Sequence, residues 1–132
     1  MNNNHYKANA FLLKMELVCF QGMDKENWAQ LNALIKRGEW GKVFIVKNKN
    51  AEDFSVPDHC VVVGVDSGMP LLEFKGELMR KLKSALGNEF EVALSLASGN
   101  GKEHMALISA LLSIPVGIRF VAFTKKGIEF LS

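Results

Sequence analysis

The sequence predicts an α/β fold: a three-layer, Rossmann-like domain with a mainly parallel sheet of five strands plus a short antiparallel edge strand. Three observations carry this reading. Short apolar, often β-branched runs alternate with segments of helical period. The runs are apolar at successive positions, as strands covered on both faces must be. Gly, Pro or an Asn/Asp/Ser cluster separates the segments, so each element has a stop.

Taken in order, Phe11 to Phe20 (FLLKMELVCF) reads as the first strand and Gln21-Gly22-Met23 as its exit loop. Asp24 is placed to cap a helix that repeats Trp28, Leu31, Leu34 and Ile35 on one face and stops at Gly38. Lys42 to Val46 is the second strand. Ala51 to Asp58, holding Pro57, has room for one helical turn. Cys60 to Val65 (CVVVGV) has the composition of a central strand. Pro70 then opens a helix with an apolar stripe of Leu71, Phe74, Leu78, Leu82 and Ala85, ended by Gly87. Phe90, Val92, Ala93, Leu94 and Leu96 form the fourth strand, and Met105 to Leu112 a buried helix broken by Pro115. Gly117 to Phe123 is the fifth strand, and Lys125-Lys126-Gly127 turns it into the edge strand Ile128 to Leu131.

One domain, 11–132, preceded by a flexible arm, 1–10, accounts for the 132 residues. With 48% apolar and 23% charged residues the balance is that of a globular protein, and a net charge of +2 without like-charge blocks disfavours duplex DNA as a partner. The opening MNNNHYKANA lacks a secretory pattern and no apolar run reaches membrane-spanning length, so a cytoplasmic protein is expected, with no membrane partner. Cys19 and Cys60 lie in apolar runs, outside any CxxC pair, and are expected as two reduced, buried thiols. The histidines have no second ligand at metal-binding spacing. No metal or cofactor is expected.

In open α/β sheets ligands sit beyond the carboxyl ends of the strands. Those ends carry Gly22, Asn48, Ser67 and the turn Ser98-Gly99-Asn100-Gly101-Lys102. The turn lies between a strand and a helix, where unpaired amides and a positive dipole end suit an anion, Gly allows close approach, and Lys102 adds a mobile charge. The same residues also fit a purely structural role, because Asn100 and Glu103 have the spacing of a capping box. A Walker A loop is excluded: Leu96 stands where Gly is needed and Glu103 where Ser or Thr should follow Lys102.

The order of elements from Lys42 to Phe123, with the strand EVALSLA, the turn SGNGKEHM and the helix ALISALLS, resembles the CRISPR-associated Rossmann fold (CARF) family. In that family the last major helix follows a Thr/Ser-Gly-Gly-Thr-Lys-x-Met type of turn, which Ser98, Gly99, Lys102 and Met105 match. Two residues, Glu103 and His104, stand where the family has one, and Asn100 replaces a Gly. The resemblance implies a sensor of cyclic oligoadenylates acting as a homodimer, and some members also cleave the ring. Three functions follow as expectations: a nucleotide-binding regulatory domain, a slow metal-independent ring nuclease at the same site, or a protein-interaction domain whose Gly turn serves only the fold. Trp28, Trp40 and most of the six methionines are expected in the core.

Overall fold

The computed structural model describes residues 14–51 and 59–132. The arm expected at 1–10, the beginning of the first predicted strand and the helical turn expected near Pro57 lie outside the described residues.

Among the described residues six strands and three α-helices follow the predicted order: β1 (Glu16–Gln21), α1 (Trp28–Arg37), β2 (Val43–Asn48), β3 (Cys60–Val65), α2 (Leu71–Leu86), β4 (Glu91–Ser95), α3 (Gly101–Ser113), β5 (Gly117–Thr124) and β6 (Gly127–Phe130). The sheet order is β3-β2-β1-β4-β5-β6, with β6 alone antiparallel. The mainly parallel, Rossmann-like sheet with an antiparallel edge pair is as expected.

Side chains on each strand alternate between two cores, because successive Cβ atoms point to opposite faces. Val18, Phe20, Phe44, Val46, Val92 and Leu94 meet α2 and α3, through Phe74, Leu78, Leu82, Leu107 and Leu111 among others. Leu17, Cys19, Val43, Ile45 and Ala93 meet α1 through Leu31, Leu34 and Ile35. Pairing Leu17 with Val43 and Ala93 lines up the three central strands so that both faces stay apolar across them.

Several expectations are corrected. The β-branched run of β3 belongs to an edge strand, paired only with β2 among the described residues; Val61 and Val62 are 40% and 52% exposed. A strand's place in a sheet is set by its crossovers, and here the chain enters β4 on the far side of β1. Cys19 is fully buried, whereas Cys60, on that edge, is only half-buried; both are free thiols. Burial pushes both thiols up, with the neighbouring Cys60 adding to the effect on Cys19. Met23 and Met105 are exposed, not core filling, and Phe90 and Leu71 project to solvent at element ends. Trp40 packs partly buried against the α1 core and donates its indole N–H to Leu34 O at the end of α1. No helix among the described residues is long and apolar enough to cross a membrane.

Leu107 is fully buried in α3 against both α2 and the sheet. Leu107→Ala should therefore cost about 2–5 kcal/mol of stability, read from urea denaturation midpoints. A loss well under about 1 kcal/mol would mean that this helix face does not carry the core.

Candidate functional site

Buried polar groups gather at the carboxyl ends of the strands. Gln21, Lys47, Ser95, Ser98 and Glu103 are all at least nine-tenths buried. They sit at the ends of β1, β2 and β4 and at the start of α3. Such groups stay inside only when they are hydrogen-bonded, so their partners define how the loops are held.

The crossover direction reverses at β1, since β2 lies on one side of it and β4 on the other. The loops leaving β1 and β4 meet there. The Ser98 hydroxyl donates to Asp24 Oδ1 (2.7 Å), the Gly99 N–H donates to the same oxygen (3.0 Å), and the Gly22 N–H donates to Ser98 Oγ (2.8 Å). Asp24 Oδ2 accepts from the Asn27 side chain (2.7 Å), and the Trp28 indole N–H donates to Gly22 O (3.0 Å). Asp24 makes no side-chain cap to the helix that follows; a 3-10 turn, Lys25–Asn27, intervenes and the carboxylate faces the other loop. Burial alone raises its pKa, but hydrogen bonds from Asn27, Ser98 and the Gly99 amide outweigh that and hold it below the usual carboxylate range.

Both glycines of this junction are required. A Cβ on Gly22 would lie 2.6 Å from Gly99 Cα and from Asp24 Oδ1. Gly99 has φ +106°, and its Cβ would come within 2.9 Å of His104 Nε2.

The start of α3 is a complete capping box. Asn100 Oδ1 accepts from the Glu103 N–H and Glu103 Oε1 accepts from the Asn100 N–H, each at 2.9 Å. His104 Nε2 lies 2.7 Å from Ser98 O; a carbonyl only accepts, so this nitrogen carries the proton. None of these bonds uses the amides of Gly101 and Lys102, which belong to the first turn of α3, where N–H groups have no intrahelical acceptor.

Lys102 reaches the neighbouring loop. Its ammonium donates to Ser67 O (3.0 Å) and Met69 O (2.6 Å) and lies 5.9 Å from the centre of the Phe74 ring. The Ser67 hydroxyl in turn accepts from the Asn48 side chain, whose Oδ1 accepts from the Asn50 N–H. All eight residues singled out from the sequence, Gly22, Asn48, Ser67 and Ser98 through Lys102, thus stand on one edge of the sheet. They do not share one surface: Ser98 is fully buried, and the side chain of Asn100 is committed to the helix cap. Asp24 and His104 were missed as parts of the junction. Asp24 carried a signal, being an acid directly after the strand at the reversal point, while nothing in the sequence marks the His104 contact.

A recess of about 200 Å³ opens here, lined by Met23, Asp24, Gly99, Asn100 and Glu103. A larger one of about 330 Å³ lies at the opposite end of the sheet, between Trp40, Arg119 and Phe130. There Arg119 already stacks 4.5 Å from the Phe130 ring centre and donates to Ser132 O. The carboxyl edge, where polar groups are buried and α3 begins, is the better candidate site. Among the described residues no three His, Cys, Asp or Glu side chains converge as a metal site.

Fold and site together define a Rossmann-like α/β domain with a polar, partly cationic edge at its topological reversal point. No family model matches the chain, and no curated protein matches it. The fold is similar to that of Can2 from Sulfobacillus thermosulfidooxidans, whose structure was solved in complex with cyclic tetra-adenylate (cA4). The TM-score is 0.63 at 13% identity. The match covers 93% of this chain and 36% of Can2, so the likeness is one of fold and extends over about a third of that protein.

Two outcomes test the junction. Gly99→Ala should destabilise by about 1–3 kcal/mol through its positive φ and the crowding against His104, whereas Gly76→Ala in α2, with open space around it, should stabilise by up to about 1 kcal/mol. The second concerns pH. The folded pKa of Asp24 is lowered, so its contribution is fully present above the unfolded carboxylate value of about 3.9 and is lost as pH falls through the folded one. The stability gap between wild type and Asp24→Asn should be constant down to about pH 5 and close below about pH 4; a gap that widens in acid contradicts the assignment.

Proposed function

We propose that this chain is a small nucleotide-binding sensor domain of CARF-like type that recognises a cyclic oligoadenylate or a related nucleotide at the carboxyl edge of its sheet. The observation that carries the reading is the placement of Lys102. It is carried on the first turn of α3, and its ammonium bridges to the loop after β3. A lysine on the first turn of a helix, where the N–H groups have no intrahelical acceptor, suits a phosphate. Can2, which has the same fold over this length, was solved with cA4 bound, and this supports the ligand class.

In this reading Lys102 neutralises a phosphate and the Gly101 and Lys102 amides donate to it. Asn48 and Ser67 fix the tips of β2 and β3 against each other and form the floor beside it. A homodimer is the working unit, because a ring with two-fold symmetry is best met by a two-fold site.

Calorimetric titration of the wild type and of Lys102→Ala with linear and cyclic oligoadenylates of several ring sizes tests this. Wild type should bind at least one ring, and Lys102→Ala should bind it about tenfold or more weakly, as expected for losing one charge-assisted contact. Absence of binding to any of them overturns the reading. Product analysis of the same samples separates sensing from ring cleavage.

A further inference from the structure

We propose that Asp24 is a tethered competitor for the ligand's phosphate: its carboxylate occupies the Ser98 hydroxyl and the Gly99 amide, and a nucleotide that uses those donors must displace it. This rests on the nucleotide-binding reading above and adds to it a built-in brake and a route for output.

Two independent observations support it. The first is chemical. Asp24 Oδ1 takes two donors at 2.7 and 3.0 Å from the strand-to-helix turn, as an anion would. Its negative charge also stands in the recess that adjoins Glu103, so an incoming phosphate meets a carboxylate there and not a vacant cradle. The second is steric. The two loops are so close that even a methyl group on Gly22 would fall 2.6 Å from Gly99 Cα and 2.7 Å from Gly99 N. The Ser98 hydroxyl and the Gly99 amide have one hydrogen each, and both already go to Asp24 Oδ1, so a phosphate oxygen can take them only when the carboxylate leaves. In this proposal the exchange is exclusive and carries the loop after β1, held close to the loop after β4, away from it.

That movement has a defined consequence. Asp24 is bound to Asn27, the residue before α1, and Gly22 O is held by the indole of Trp28, the first residue of α1. Displacing Asp24 therefore pulls on the N-terminus of α1, the one α-helix on the far face of the sheet among the described residues. Ligand entry between β1 and β4 is coupled in this way to α1, through contacts and without a long pathway.

The test uses the full chain, with cyclic tetra-adenylate and inorganic pyrophosphate as probes. Asp24→Asn keeps an acceptor for Ser98 and Gly99 but removes the charge, so it should bind both probes about tenfold more tightly than wild type. Equal or weaker binding by a variant that melts like a folded protein overturns the competition. In that case binding by wild type still upholds the nucleotide reading. Binding to neither protein sinks both. A second measurement does not depend on the variant's folding. In a Trp40→Phe background, Trp28 is the remaining tryptophan, and its emission should shift in step with probe binding followed by calorimetry. Heat of binding with an unchanged Trp28 signal would show that the loop does not move and would overturn the proposal.

Discussion

Burial of the central strands on both faces is the constraint from which the rest of the structure follows. Every side chain of β1 from Leu17 to Gln21 is buried, and β2 is closed from Val43 to Lys47. A strand sealed on both sides has no solvent face on which to place polarity, so polar groups accumulate where the strands end. Gln21, Lys47, Ser95 and Ser98 are the result. The concentration of hydrogen-bonding groups at the carboxyl edge is thus a consequence of packing before it is a consequence of function.

At that edge the chain uses its own groups to satisfy one another. Unmet, each buried donor or acceptor costs on the order of 1–3 kcal/mol, so the Asp24, Ser98, Gly99 and Gly22 contacts together weigh as much as a large core side chain. In the proposed reading these same bonds are the ones a ligand would replace, so stability and recognition would draw on the same atoms.

The fold was largely legible because period and punctuation agreed. Gly38 and Gly87 end α1 and α2 as expected, and the Asn100 and Glu103 spacing is the capping box it resembles. What composition did not reveal was lateral order. CVVVGV has the same residues whether it lies at the centre or the edge, and only the crossovers decide. The junction was half legible for a related reason. Ser98 and Gly99 stand in a recognisable turn, but their acceptor, Asp24, is 74 and 75 residues away, and its place before the Trp28, Leu31, Leu34 and Ile35 repeat suggested a local cap. Local patterns report local bonds; a side chain that reaches across the sheet leaves no spacing to read. His104 is the opposite case, local in sequence at six residues from Ser98, yet made visible only by the bend that Gly99 permits.

The seat of Lys102 bears on the entropy of recognition. A free lysine side chain gives up as much as about 2 kcal/mol of rotamer freedom when a ligand immobilises it. Here two carbonyls, Ser67 O and Met69 O, and the face of Phe74 already fix the ammonium in the unliganded chain. That ordering belongs to folding, so in the proposed reading an anion at the start of α3 would meet a charge already partly ordered. On that proposal the site would favour rapid, reversible capture over a slow fit and would discriminate by distance from a held point, not by the reach of a free arm.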